Sequence, residues 1–192
     1  MKRILFVCTG NTCRSPMAEA MLKRMAQMRG ITVAVRSAGV STVDGLPVSK
    51  HALETLRERE IDHKGSSRAM TSEAVEWADL ILTMTSGHKR GLLQWFPEAV
   101  DKTYTLKEYT NIDERVLADI EELEGLYTDM HMKQALGQQL TSLERTRLLE
   151  LERRIPDFDI ADPFGGSFAL YASCAQEIET ALVRLLDKIS KR

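Results

Sequence analysis

Cysteine is scarce in this chain, with three in 192 residues. An odd count without metal-ligand spacing points away from a disulfide scaffold and toward free thiols in a reducing compartment. An excess of one charge is also lacking, since 26 Lys and Arg stand against 28 Asp and Glu, a formal net charge of -2. With no basic excess, neither nucleic acid nor an anionic membrane is expected as a partner. Long apolar runs are missing too. Lys2-Arg3 followed by Ile4 to Val7 begins like a secretion signal, but the run stops at Cys8, too short for one, and nothing elsewhere is long enough to span a bilayer. The expectation is a cytoplasmic, monomeric protein. What is present suffices for a core: hydrophobic residues make up 43% of a length that suits one domain, residues 1–192.

Short apolar runs alternate with longer amphipathic ones, the pattern of an open parallel sheet with helices on both faces, an α/β fold. The apolar runs predict four strands, Ile4 to Val7, Ile31 to Val35, Asp79 to Met84 and Thr103 to Leu106. Ser15 is placed to cap a helix with Pro16 at its first position, Met17, Met21, Leu22, Met25 and Met28 marking one face and Gly30 stopping it. Further helices are predicted from about Ser49 to Glu60, after the third strand as far as Phe96, and from about Ser167 to Ile189. Between about 111 and 158 the composition turns charged and leucine-spaced. Gly137 interrupts this stretch and Thr141-Ser142-Leu143-Glu144 has the spacing of a capping box, so a helical insertion is expected. It would be a lid or a grip on a protein substrate, or simply a hairpin with a solvated charged face.

The chemistry concentrates in Cys8-Thr9-Gly10-Asn11-Thr12-Cys13-Arg14-Ser15, between the first strand and the first helix. A glycine-bearing loop there turns successive amides toward one point beside the positive end of the helix dipole, an anion cradle. Arg14 adds a planar fork for two phosphate oxygens, which Lys could not match. The same positive field favours a thiolate at Cys8, and a thiolate beside a bound phosphoryl group is a nucleophile. An unpaired cysteine at a strand end is more often simply buried; Arg14 and Ser15 at fixed spacing between a strand and a helix turn the reading toward chemistry. The loop lacks the Gly-Lys-Ser/Thr pattern of a nucleotide-triphosphate site.

This loop resembles the signature loop of the low-molecular-weight protein tyrosine phosphatase family. The similarity continues through Ser37-Ala38-Gly39, Asp79 to Met84, Phe96-Pro97 and Asp162-Pro163-Phe164-Gly165-Gly166. The resemblance implies that Cys8 attacks phosphorus to form a phosphocysteine, and that Arg14 and the amides of Thr9, Gly10, Asn11, Thr12, Cys13 and Arg14 hold the equatorial oxygens. It further implies that Asp162 is the general acid and then the base, that Ser15 stabilises the sulfur, that Asn11 braces the loop, and that no metal or other cofactor is needed. On local sequence alone Asp162-Pro163 would read as an ordinary turn.

Thr12 bears on the substrate. Tyrosine-directed members typically carry a larger aliphatic residue there, whereas bacterial protein-arginine phosphatases resemble this chain in "CTGNTCRSPMAE", "TLKEY" and "DPFGG". The resemblance thus suggests phosphoarginine in proteins as substrate; on physical grounds Thr12 and Asp162 are the candidates to hold guanidinium N–H groups, and Phe164 is either an apolar wall against the substrate stem or a packing residue. Tyrosine phosphatase activity is the alternative, and a non-catalytic phosphate-binding module is a third reading. Arsenate reduction on the same fold needs relay cysteines after the third strand, and Thr85 to Arg90 holds none. Cys13 is either the partner of Cys8 in a protective disulfide or an inert thiol beneath the loop, and Cys174 is expected in the core. His51, His63, His88 and His131 form no metal spacing and are expected at the surface or in caps, with His88 on the sheet edge where ligands bind.

Overall fold

The computed structural model describes residues 1–190. They gather into two compact units: Met1–Asn111 together with the chain from Phe158 onward, and Ile112–Asp157. The first unit holds four strands, β1 (Lys2–Cys8), β2 (Val33–Gly39), β3 (Leu80–Thr83) and β4 (Thr103–Thr105). All pair in parallel, in the order β2-β1-β3-β4. From β1 the chain turns to β2 on one side, and from β2 it crosses over to β3 on the other side of β1. Such a reversal opens a crevice at the carboxyl ends of the central strands, where open α/β sheets bind ligands. Cys8 ends β1 at that crevice.

Period-two alternation along β1 sends Ile4, Phe6 and Cys8 into one apolar cluster and Leu5 and Val7 into another. The first cluster takes in Met17, Met21 and Leu22 of α1 (Arg14–Met28) and Ile178, Leu182 and Leu185 of the final helix. Val75, Leu92 and Ala99 fill the second. Both faces of the sheet are therefore covered, and its two central strands read as apolar runs, Ile4 to Cys8 in β1 and Leu80 to Leu82 in β3.

Helix α1 departs from the expectation at both ends. It starts at Arg14, its N-cap is Cys13 and no side chain caps it, so Ser15 lies inside the helix and is not its cap. First-turn N–H groups without a side-chain cap are the kind that an anion can satisfy. At the far end Met28 is 71% exposed and not inward, because the core ends before the helix does. Gly30, at φ 65°, lets the chain turn, and Ile31 N–H donates to the Ala26 carbonyl. Strand β2 consequently begins at Val33 and runs through Ser37-Ala38-Gly39, which pair with Phe6, Val7 and Cys8.

Helix α2 (Lys50–Arg57) follows Ser49, whose side chain accepts from Ala52 N–H. The short α3 (Ser72–Trp77) was not foreseen. Helix α4 (Ser86–Trp95) stops before Phe96-Pro97, and a 3₁₀ helix, Pro97–Lys102, leads into β4. A second unforeseen helix, α5 (Leu106–Asn111), takes Leu106 out of the predicted strand. Thr105 N–H donates to Glu108 Oε2 and Glu108 N–H to Thr105 Oγ1, both at 3.0 Å, a reciprocal box that opens α5.

In the second unit α6 (Glu114–Ala135) is capped by Asp113, Gly137 turns the chain at φ 72°, and α7 (Ser142–Arg154) begins with the Thr141/Glu144 capping box. Arg147 to Glu122, Arg154 to Asp119 and Lys133 to Glu144 join the two helices by charge. The chain then returns to the first unit, whose last described element is α8 (Phe168–Ser190).

Candidate active site

A cavity of about 200 Å³ opens at the carboxyl end of β1, lined by Cys8, Thr9, Gly10, Thr12, Cys13, Arg14, Asp162 and Phe164. Asn11 and Ser15, also singled out in the sequence, are buried behind it. The loop's carbonyls are tied outward: Val40 and Ser41 N–H donate to the Cys8 and Thr9 carbonyls, and Ser49 N–H to that of Thr12. A loop held this way presents its amides to the opposite side.

Asn11 organises the interior of the loop. Its φ of 53° is left-handed, a region that Asn tolerates better than most residues. Arg68 N–H donates to Asn11 Oδ1 at 2.8 Å, which fixes the amide so that Nδ2 donates to both Ser15 Oγ and Ser37 Oγ. Ser37 in turn donates to the buried Glu19 carboxylate, which is paired with Lys23. Ser15 Oγ accepts from Asn11 and keeps its own O–H to donate to Cys8 Sγ, 2.9 Å away. A hydroxyl donor on sulfur stabilises an anion there.

Arg14 is 4% exposed, so its guanidinium is held rigidly. One Nη donates to the Ile160 carbonyl at 2.9 Å and the other lies 3.0 Å from Asp162 Oδ2. The Asp162 side chain, half exposed, also accepts from Phe164 N–H at 3.1 Å through Oδ1. Nearly 150 residues separate these partners in the chain, and the sheet edge brings them together. Phe164 is 75% exposed on the rim, so it is a wall facing outward and not a core residue.

Three contributors received no role from the sequence, although Ser37 and Gly39 lie in a string that carries the family resemblance. Gly39 lies under the loop: a Cβ there would come within 2.6 Å of the Thr9 carbonyl oxygen and 3.1 Å of Asn11 N. Ser37 and Glu19 complete the brace from 26 and 8 residues beyond Asn11, separations that carry no local signal. His88 corrects the expectation of a surface histidine, being only 8% exposed. Its Nε2 lies 2.7 Å from Thr9 Oγ1, and Nδ1 has no hydrogen-bond partner among the described residues. Burial first, and then the Arg14 guanidinium, hold its pKa down at about 4 against the pull of Asp162 and Asp159. The imidazole is therefore neutral at pH 7.

The other histidines stay outside the cavity. His51 packs against the Phe168 and Tyr171 rings and pairs with Glu54, His63 is half-buried, and His131 is exposed. All three cysteines are free. Cys13 Sγ lies 3.2 Å from the Tyr171 hydroxyl. Cys174 is in the core, where burial pushes its thiol up to about 12 and keeps it neutral. Among the described residues no group of His, Cys, Asp and Glu could hold a metal ion, and no helix is long and apolar enough to cross a membrane.

A cysteine at a strand end, an arginine-closed loop running into an uncapped helix and a carboxylate facing both define a phosphoryl-transfer site of the cysteine-phosphatase class. The family model for low molecular weight phosphotyrosine protein phosphatase matches residues 3–132, and the chain belongs to that family. It is 37% identical to a protein-arginine-phosphatase of Geobacillus stearothermophilus over 187 residues, 97% of this chain and 95% of that one. A protein-arginine-phosphatase of Bacillus subtilis is 36% identical over 98% of this chain and 97% of its own length. Among solved structures, the arginine phosphatase from Geobacillus stearothermophilus superposes with a TM-score of 0.72, covering 100% of this chain and 94% of that one at 37% identity.

Proposed function

We propose that this protein removes phosphoryl groups from arginine side chains of proteins through a phosphocysteine intermediate. The reading rests on Thr12, a small hydroxyl residue on the wall of the cavity that also holds Cys8, Arg14 and Asp162, in a chain whose full-length relatives include protein-arginine-phosphatases. A planar guanidinium bearing phosphorus on nitrogen brings polar N–H groups close to the reacting centre. A bulkier aliphatic residue at position 12 would leave those groups without an acceptor, at about 1–3 kcal/mol for each buried one.

The proposed reaction runs in two steps. The phosphoryl oxygens occupy the cradle and take guanidinium N–H groups of Arg14, including the one that now meets Asp162. Cys8 sulfur attacks phosphorus opposite the leaving nitrogen, so that the S–P bond forms as the P–N bond breaks. The Asp162 carboxyl delivers its proton to that nitrogen, and arginine leaves as its guanidinium. Asp162, now a carboxylate, then takes a proton from water as the water oxygen attacks phosphorus. The S–P bond breaks, inorganic phosphate departs and Ser15 steadies the sulfur anion.

Beside the mouth, a wider groove of about 790 Å³ shares Gly10, Thr12 and Phe164 with the cavity and is bounded by Val43, Leu46 and Pro47, which leaves room for polypeptide around the phosphorylated residue. One observation favours phosphotyrosine as the second reading: the exposed Phe164 ring offers a face to a substrate ring. Turnover of phosphoarginine and phosphotyrosine peptides by wild type and Thr12→Ile decides between them. Wild type is expected to prefer phosphoarginine and Thr12→Ile to shift toward phosphotyrosine; a wild-type preference for phosphotyrosine overturns the assignment.

A further inference from the structure

The string Thr105-Leu106-Lys107-Glu108-Tyr109 has no part in the reaction as described, yet it touches the segment that carries Asp162. Thr105 and Glu108 close the box that starts α5, and Glu108 also pairs with Lys89 of α4. With α5 fixed at that end, Lys107 projects to the chain between α7 and α8: its Nζ donates to the Asp159 carbonyl at 3.0 Å and to Glu177 Oε1 of α8 at 2.6 Å.

Asp162 sits in a stretch without regular structure, and its own side chain is half exposed, so packing does not hold it. Besides the Arg14 contact to Asp162 itself, the segment is held at the two residues before Ala161. Ile160, fully buried, donates its N–H to the Met84 carbonyl at the end of β3, while its carbonyl accepts from Arg14. Asp159 accepts Ser86 N–H on its side chain and Lys107 on its carbonyl. Of these ties, the one to Arg14 belongs to the phosphate cradle and two come from main-chain amides. Lys107 makes a side-chain tie that reaches the main chain of this segment without touching the cavity, beside a longer contact of 3.4 Å from Ser86 Oγ to Asp159 Oδ2.

We propose that Lys107 is a positioning residue for proton transfer: by holding the Asp159 carbonyl against α5 and α8 it sets the reach of the Asp162 carboxyl toward the leaving group, without contributing to phosphate binding. The proposal rests on Asp162 being the general acid. It predicts a selective defect, because a displaced acid matters most when the leaving group needs a proton and least when it is already stable as an anion.

The experiment compares kcat/KM for phenyl phosphate, a poor leaving group, and p-nitrophenyl phosphate, a good one, in wild type, Lys107→Met, Lys107→Arg and Asp162→Asn, with inhibition by inorganic phosphate measured alongside. Lys107→Met should lose about 10-fold on phenyl phosphate and less than about 2-fold on p-nitrophenyl phosphate, with phosphate inhibition unchanged and Lys107→Arg largely restored. Equal losses on both substrates, or no loss on either, overturn it. Should Lys107→Met fail to fold, Lys107→Gln, neutral and one atom shorter, is read the same way. If Asp162→Asn shows no dependence on the leaving group, the role of Asp162 fails and the proposal fails with it; a selective loss in Asp162→Asn but not at Lys107 removes the proposal alone.

Discussion

Arg14 grips the Asp162 loop with the same guanidinium that lines the cavity beside Cys8: one nitrogen is 3.0 Å from Asp162 Oδ2 while the other donates to the Ile160 carbonyl at 2.9 Å. In the proposed reaction, binding of the oxyanion and placement of the Asp162 carboxyl are thereby joined in one planar group. The link requires two nitrogens at a fixed angle, which only a guanidinium supplies.

Arg14→Lys is therefore expected to do more harm than loss of one phosphate contact. An ammonium cannot hold the Ile160 carbonyl and meet the oxyanion together. Turnover of p-nitrophenyl phosphate should fall by about 10²- to 10³-fold, with weaker inhibition by inorganic phosphate. A variant within about 5-fold of wild type in steady-state kinetics would contradict this joint role.

Gly39→Ala tests the close approach beneath the cradle. The added methyl would lie 2.6 Å from the Thr9 carbonyl oxygen, a backbone atom that can yield only by shifting the loop. A cost of about 2 kcal/mol is expected, lowering Tm by roughly 4–8 °C, together with a loss of activity larger than the loss of folded protein. Calorimetry and kinetics on the same sample check both.

His88 should make stability depend on pH with a definite sign. Its folded-state pKa of about 4 is below the ordinary 6.5, so the unfolded chain takes up the proton first as pH falls. The stability owed to neutral His88 is fully present above about pH 6.5, declines as pH drops toward 4, and is gone below that. Urea unfolding at several pH values between 7.5 and 4 should show a shallower decline for His88→Gln than for wild type. Identical slopes would mean that this imidazole is not held neutral in the fold.

Cys13 offers a redox test. A disulfide between Cys8 and Cys13 requires Cys13 Sγ to leave the Tyr171 hydroxyl, 3.2 Å away. If that exchange protects the nucleophile, wild type regains activity with thiol after peroxide and Cys13→Ala does not, because Cys8 then proceeds to irreversible acids. Equal recovery in both, followed by activity assay and mass of the Cys8 peptide, would make Cys13 a packing thiol.

Elements with a local cause were legible in the chain. The apolar runs of β1 and β3, the Thr141/Glu144 box of α7 and the stop of α4 before Phe96-Pro97 each follow from a few neighbouring residues. Helix α5 was missed although Thr105-x-x-Glu108 carries the same capping signal, because the apolar Leu106 reads as the end of a strand. Ser15 reads as a cap in the sequence because local rules do not reveal that its hydroxyl accepts from Asn11 and meets Cys8.

By itself the sequence determined the parts: a thiol, a glycine-bearing loop, an arginine and a helix start in one short stretch, with an Asp-Pro turn far downstream. Only the tertiary structure decided their assembly. The β2-β1-β3-β4 order places Gly39 and Ser37 beside the loop from one neighbouring strand, and Met84 and His88 from the chain end of the other. Lys107 and Ile160 then bring the Asp162 loop over the same edge. These contacts join residues far apart in the chain, and they form only when burial of both sheet faces offsets the entropy of closing such long loops, which no local pattern encodes.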